Sequence, residues 1–385
     1  MVCTGLPARA QGTDWQTLNG QAVSLYRQGH YDQAVVVARQ ALQLAEQSFG
    51  PNHPNVATSL NNLAELYLAQ GQYAQAEPLF QRSLAIREKA LGPNHPDLAT
   101  SLNNLAELYR AQGQYAQAEP LYKRSLAIWE KALGPAHPSV ATSLNNLAEL
   151  YRAQGQYAQA EPLYQRALAI REKALGPNHP DVGASLNCLA DLYSSQGHYA
   201  QAEPLYQRSL AIWEKVLGPN HPNVATCLNN LAEMYRVQGQ YGQAEPLYQR
   251  SLAIWEKALG SNHPNVARSL NNLALLYVAR GQYAQAEPLY KRSLAIWEKA
   301  LGPDHPDVAA SLNNLAFLYK SQGQYAQAEP LYKRSLAILE KALGPNHPSV
   351  ATGLDNLAAL YKQTNRPDEA EALEQRAAAI RAIKR

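Results

Sequence analysis

The sequence is poor in the features that commonly mark a staple, a catalyst or a membrane protein. It holds three cysteines in 385 residues, an odd number in no motif spacing, which argues against a disulfide framework. Cys188 and Cys227 stand where neighbouring stretches carry Asn and Ser, so they read as tolerated substitutions. No glycine loop ending in GK[ST], no HExxH, no GxSxG and no CxxC pair occurs, so nothing points to an enzyme or to a bound cofactor. Neither sign of charge dominates: 34 Lys plus Arg face 31 Asp plus Glu. The charges are spread evenly, and without a basic stripe there is no footprint for nucleic acid. No apolar run approaches the about 18 residues that span a bilayer. A basic n-region and an apolar h-region are both missing from "MVCTGLPARAQG", although Ala8-Arg9-Ala10 has the small-residue pattern that signal peptidase cuts. Taken as written, the chain reads as cytoplasmic. A start codon further upstream would turn residues 1–13 into the tail of a signal peptide, and the protein would then be periplasmic or secreted.

What the chain has in abundance is itself. "GPNHP" at residues 92–96 recurs almost verbatim, with His53, His95, His137, His179, His221, His263, His305 and His347 spaced by 42 residues. Self-similarity at one fixed period is the mark of a repeat array and overrides the two or three domains that length alone suggests.

One repeat, residues 93–134, carries the argument. Pro96 suits the first turn of a helix, where its missing N–H is no loss, and Asp97 favours a helix N-terminus electrostatically. Leu102, Leu105, Ala106 and Tyr109 then fall at i, i+3, i+4 and i+7, one apolar stripe of an α-helix. Gly113 supplies the left-handed backbone of a tight turn. A second helix follows, with Ala118, Leu121, Tyr122, Ser125, Leu126, Trp129 and Leu133 on one broad face and Lys123, Arg124, Glu130 and Lys131 on the other. Pro120 deletes one backbone bond of this helix and bends it slightly. Gly134 closes it and the next Pro prevents continuation. Each copy is thus an antiparallel helix pair that buries its apolar face only by stacking on other copies.

The histidine ladder does not fit a metal site. Two ligands of one zinc ion must each approach to about 2 Å, whereas packed helices sit about 8–10 Å apart. Asn and His of the pentapeptide therefore read as turn residues between the two prolines.

The run "LNNLAELYRAQGQYAQAEPLY" resembles a tetratricopeptide repeat, with Leu102, Leu105, Ala106, Tyr109, Gly113, Tyr115, Ala118, Tyr122 and Leu126 on its signature positions. The longer period, a prolonged second helix plus "LGPNHPD", and the segment "AEPLYKRSLAI" resemble the array of kinesin light chains and their bacterial relatives. The resemblance implies an all-α fold: an α-solenoid, a right-handed superhelix of stacked antiparallel helix pairs. Four segments are expected: a tail over 1–13, a divergent N-terminal capping pair over 14–50, seven 42-residue repeats over 51–344 and a C-terminal capping repeat over 345–385. In the first pair "AVVVARQAL" replaces the Glu-Pro-Leu-Tyr segment. In the last, Ala372 and Glu374 stand where the preceding copy has Pro330 and Tyr332. Terminal copies altered in this way read as caps.

In tetratricopeptide arrays the first helices line the concave groove, so the resemblance implies that Thr100, Asn103, Asn104, Glu107 and Arg110 face a ligand. The first of the paired asparagines recurs at Asn61, Asn103, Asn145, Asn187, Asn229, Asn271 and Asn313, with Asp355 in the last copy. An amide both donates and accepts, which suits an extended peptide backbone. The alternative is a bond between neighbouring first helices. The positions of Glu107 and Arg110 become Glu149 and Arg152, then Asp191 and Ser194, then Glu233 and Arg236. Beyond these come Leu275 and Val278, Phe317 and Lys320, Ala359 and Lys362. The expected groove passes from mixed charge to an apolar, lysine-edged end, and its expected partner is a protein segment combining acidic and large apolar residues. Trp129, Trp213, Trp255 and Trp297 alternate with Arg87, Arg171 and Leu339 at one second-helix position. They read as packing between copies, with an aromatic patch for a partner or for self-association as the alternative. A monomeric interaction scaffold without catalytic or metal-binding residues is the reading that follows. A self-assembling structural array, or a sensor for a separately encoded effector, are its rivals.

Overall fold

Gly113 and Gly134 end the two helices of one repeat at φ 68° and 84°, in the region where a side chain would be strained. Between them the chain turns back on itself once per 42 residues, as the punctuation requires. The structure, a computed structural model, describes residues 8–382, with side chains from residue 14 onward. Residues 1–7 of the expected tail lie outside the described residues, and residues 8–13 open the first helix.

The described residues contain eighteen helices and no strand. They divide into two compact units, Met1–Ile212 and Trp213–Arg385. The first holds α1 (Ala8–Arg27), α2 (Tyr31–Phe49), α3 (Pro54–Ala69), α4 (Tyr73–Leu91), α5 (Pro96–Ala111), α6 (Tyr115–Leu133), α7 (Pro138–Ala153), α8 (Tyr157–Leu175) and α9 (Pro180–Ser195). Helix α10 (Tyr199–Leu217) runs over the boundary. The second unit continues with α11 (Pro222–Val237), α12 (Tyr241–Leu259), α13 (Pro264–Ala279), α14 (Tyr283–Leu301), α15 (Pro306–Ser321), α16 (Tyr325–Leu343), α17 (Pro348–Gln363) and α18 (Pro367–Ala382).

The histidines have a sharper role than that of turn residues. Each is the N-cap of the following first helix, in extended conformation, with Pro at the first helical position. His95 Nδ1 accepts the backbone N–H of Asp97 at 3.2 Å, and His137 Nδ1 that of Ser139 at 3.1 Å. The second unit repeats this at His221, His263, His305 and His347. An orphan donor of the helix end is satisfied, as Ser or Asp would do it.

Within a pair, Ser125 Oγ donates to Ala99 O at 2.8 Å, and Ser251 Oγ to Ala225 O in the second unit. Leu102, Leu105 and Ala106 of the α5 stripe are buried and Tyr109 at its end is half-buried, while Tyr122 of α6 is wholly enclosed. Leu133, expected on the buried face, is instead 40% exposed. Successive copies are linked at both edges. Tyr151 of α7 donates to Glu119 of α6 at 3.0 Å, and Arg166 of α8 pairs with Glu130 of α6 at 2.6 Å. Such exposed ion pairs contribute little, roughly 0.2–1 kcal/mol each, so the stacking rests on apolar burial. Successive first helices touch, α5 with α7 and α13 with α15, whereas among the described residues successive second helices have no comparable contact. Within each unit the first-helix side is therefore the tighter one.

Candidate interaction face on the first helices

Residues spaced by three and four along α5 bring Asn103, Glu107 and Arg110 onto the same side, all half-buried. The expected asparagines divide in two groups. Asn61, Asn145 and Asn187 are buried, at 6–9% exposure, while Asn103, Asn229, Asn271 and Asn313 are half-buried. In several copies the second asparagine of the Asn-Asn pair reaches back to the first asparagine of the copy before, whereas Asn104 turns instead to Glu65 at 2.6 Å. Asn146 Nδ2 donates to Asn103 Oδ1 at 2.9 Å. In the second unit Asn272 donates to Asn229 at 3.1 Å, Asn314 to Asn271 at 3.0 Å and Asn356 to Asn313 at 2.8 Å. Bonding between neighbouring first helices thus occupies the oxygens of Asn103, Asn229, Asn271 and Asn313, whereas those of Asn61, Asn145 and Asn187 have no partner. The N–H groups of Asn103, Asn229 and Asn313 find no acceptor among the described residues, and Asn271 reaches only its own neighbour Asn272 at 3.4 Å.

The charged pairs are closed on themselves. Arg110 clasps Glu107 through Nε at 2.9 Å and through Nη2, and Tyr122 of the facing helix donates its hydroxyl to Glu107 Oε2 at 2.8 Å. Glu149, Arg152 and Tyr164 repeat the arrangement, as do Glu233, Arg236 and Tyr248. Burial pushes the Glu107 carboxyl up, but the Arg110 guanidinium and the Tyr122 hydroxyl together hold it below the usual carboxylate range. The same balance keeps Glu149 low. These carboxylates satisfy a buried tyrosine fifteen residues further on, a role that the pattern of the first helix alone did not reveal.

Where the acid is lost, the tyrosine is stranded. Leu275 and Phe317 replace it in α13 and α15, and the buried hydroxyls of Tyr290 and Tyr332 have no partner. Where the tyrosine is lost, the acid is stranded: Phe80 stands opposite Glu65, and Leu68 replaces the arginine. Glu65 accepts from Asn61 at 2.8 Å and Asn104 at 2.6 Å, yet burial still holds its carboxyl above the usual range. At the later end Phe317 is 46% exposed, and Leu275 and Val278 are half-buried. Lys320 has no ion pair among the described residues, and burial lowers its pKa. Lys362 is already engaged by Glu374 at 2.6 Å.

The other chemistry-bearing side chains serve packing. Trp213, Trp255 and Trp297 are buried and Trp129 half-buried, while burial pushes the Cys188 thiol up to about 12. Among the described residues no group of His, Cys, Asp or Glu is arranged to hold a metal ion, and no helix is long and apolar enough to cross a membrane.

The tetratricopeptide repeat pattern matches eight overlapping stretches, 16–89, 59–131, 97–173, 139–212, 181–254, 228–299, 270–341 and 307–382. The chain belongs to the tetratricopeptide repeat family. This fold is in general a non-catalytic scaffold for protein interaction. Among solved structures the chain is similar to BtubC (BKLC) from P. vanneervenii, at 25% identity over 61% of this chain and 92% of that one, with a TM-score of 0.48. It is 35% identical to a Podosopora anserina protein described as a kinesin light chain with nearly identical TPR-like repeats, over 53% of this chain and 97% of that one, TM-score 0.44. A Rap protein complexed with Competence and Sporulation Factor shares the helical fold over 96% of this chain and 98% of that one, at 16% identity and TM-score 0.62. Comparison with curated proteins finds no relative by sequence.

Proposed function

We propose that this tetratricopeptide repeat protein is a monomeric adaptor that holds an extended segment of a partner protein along its first-helix face. One observation carries the reading: Asn103, Asn229 and Asn313 are half-buried, spend their oxygens on the next copy, and keep N–H groups without an acceptor. A half-buried donor without an acceptor favours a ligand that supplies one. Donors repeated from copy to copy within a unit, as Asn229 and Asn313 are in the second, suit the carbonyls of an extended backbone, whatever its sequence. Glu107, Arg110, Glu149, Arg152, Glu233 and Arg236 bind one another and shape the face rather than the specificity. Selectivity belongs to Leu275, Val278, Phe317 and Lys320, with Lys362 a lesser contributor because Glu374 neutralises it. The preferred segment carries a large apolar residue beside acidic ones.

An unstructured segment loses conformational entropy on docking, so an affinity near micromolar is expected, about 8 kcal/mol. Peptide display on the intact chain, followed by titration of the enriched sequences, tests this. Asn229→Ala with Asn271→Ala should weaken every ligand, by about 0.5–1.5 kcal/mol per lost bond. Lys320→Glu should weaken acidic ligands alone, with an effect that fades in high salt. Enriched sequences without acidic or apolar bias, together with indifference to Phe317→Ala and Lys320→Glu, would place binding elsewhere.

A further inference from the structure

The array carries an internal standard for every side-chain position, because the same site recurs once per copy. One second-helix position is filled by a large side chain in every full repeat but one. Trp129 packs against the cluster that holds Leu98, Ala99 and Leu102 of its own first helix and against the cluster that holds Val140, Ala141 and Leu144 of the next. Arg87 and Arg171 fill the same place by hydrogen bonding. Arg171 donates to Ser185 Oγ at 2.9 Å and to Thr142 Oγ1 at 3.0 Å, and Arg87 makes the matching bonds to Ser101 and Thr58. In the second unit Trp255 and Trp297 are buried there.

Leu339 of α16 breaks the series. It joins the apolar cluster of Val350, Ala351 and Leu354, but it is shorter than any side chain that fills the other copies. Two further truncations surround it. Gly353 stands where the neighbouring copies have Ser or Cys, and Ala310 where Arg171 and Arg87 find the hydroxyls of Thr142 and Thr58. Gly353 is not required by its backbone or by crowding: a Cβ placed there would meet the Leu336 and Leu339 side chains only at 3.4 and 3.8 Å. The three truncations together leave an open cleft of about 280 Å³ between α15, α16 and α17, walled by Ala309, Ala310, Leu339, Leu343 and Gly353. A volume below the range of about 300–1,000 Å³ typical for a drug-sized ligand suits a single large side chain.

We infer that this cleft is a binding site for an aromatic ring the size of indole, presented by a tryptophan of a partner protein. The choice between the two groups that fill the site elsewhere follows from the walls. A guanidinium needs the serine and threonine hydroxyls that Arg171 uses, and here both are missing, so it would be stranded. A flat apolar ring needs only the faces of Leu339, Ala309 and Ala310, as Trp129 needs only its apolar neighbours, and it gains from every contact. Asn313 Oδ1 is taken by Asn356, but Asn314 in the wall spends its Nδ2 on Asn271, which leaves its Oδ1 to accept the indole N–H. The cleft shares Asn313 with the face proposed above and so adds an aromatic subsite to that reading, but its test uses single-residue probes without an extended backbone, so either can fail without the other.

Methyl-labelled full-length protein, titrated with N-acetyl-tryptophanamide, N-acetyl-leucinamide and N-acetyl-argininamide, decides the matter by NMR. The tryptophan probe should produce saturable shifts at the methyl groups of Ala309, Ala310, Leu339 and Leu343, at least roughly tenfold tighter than either of the others. Leu339→Trp fills the cleft from within and should abolish those shifts. Ala310→Arg, at an exposed position where the preceding copy carries Arg268, should weaken them without disturbing the core. The inference is overturned by the absence of saturable shifts at these methyl groups, by a preference for the arginine probe, or by unchanged binding in both variants.

Discussion

Asn146 donates its side-chain amide to Asn103 Oδ1 at 2.9 Å, joining two first helices across 43 positions of the chain. The bond uses the second asparagine of one copy and the first of the copy before, so the two members of each Asn-Asn pair have different duties. Three copies depart from the pattern, the buried Oδ1 atoms of Asn61, Asn145 and Asn187 having no partner. Asn104 turns to Glu65 instead of Asn61, whereas for Asn145 the residue 43 positions further on is Cys188, which has no amide to offer. The thiol that reads as a neutral substitution has therefore removed a link of the ladder.

Cys188→Asn should restore that link. An orphaned buried carbonyl costs about 1–3 kcal/mol, and making its bond returns a net of about 0.5–1.5 kcal/mol. Urea unfolding of the variant should accordingly show a higher midpoint with an unchanged slope. A lower midpoint would mean that the Asn145 oxygen is satisfied in solution without residue 188.

The histidine caps give a second expectation. His137→Ala removes the acceptor of the Ser139 N–H and should cost about 1 kcal/mol, in the usual range for an N-cap. His137→Asn keeps an acceptor and should cost a fraction of that, whereas a turn residue would be indifferent to both changes. Circular dichroism during denaturation separates the two, and a zinc-loaded protein that unfolds on chelation would overturn both.

Much of this architecture was legible in the sequence. Prolines and glycines in register, with Leu102, Leu105, Ala106 and Tyr109 at helical spacing, specify the helix pairs before any contact is known. The period specifies that they stack. What remained hidden depends on the stagger between elements. The cap of His95 needs an extended backbone and a particular ring nitrogen. The Asn146–Asn103 bond needs the offset between copies, and the Tyr122–Glu107 bond needs the facing of α6 on α5. Asn103, Glu107 and Arg110 share one half-buried side of α5, as their spacing requires. Their partners were not foreseen, because one helix read alone shows polarity but not where each polar atom is satisfied. The cleft beside Leu339 required three truncations to be read together.

The stranded tyrosines offer a contrast within one molecule. Tyr122 donates to Glu107, so Tyr122→Phe leaves a half-buried carboxylate short of a donor and should destabilise by about 1.5–3 kcal/mol, as for a bond to a charged group. The hydroxyls of Tyr290 and Tyr332 have no partner, so Tyr290→Phe and Tyr332→Phe should be neutral or stabilising. Equal losses at all three positions would show that Leu275 and Phe317 have been compensated by water.

Glu65 supplies the pH dependence. It keeps the position of Glu107 but has Leu68 in place of the arginine and Phe80 in place of the tyrosine, so burial prevails and its carboxyl is held above the usual range of about 4.3. A folded-state pKa above the unfolded one means that the folded protein binds the proton more tightly. The stabilisation is therefore fully present below the unfolded pKa and is lost as pH rises through the folded value. Glu107 and Glu149 have the opposite sign: held low by Arg110 and Arg152, they stabilise above the unfolded pKa and lose that contribution as pH falls through their folded values. Glu65→Gln keeps an oxygen for Asn61 and Asn104 while removing the ionisation. It should raise stability at pH 7 and have no such effect at a pH below the carboxylate range. Glu107→Gln should instead lower stability at pH 7 and matter less in acid. Urea unfolding of both variants across that interval gives the answer, and parallel profiles would mean that the two carboxylates do not differ in their surroundings as the loss of Tyr and Arg around Glu65 requires.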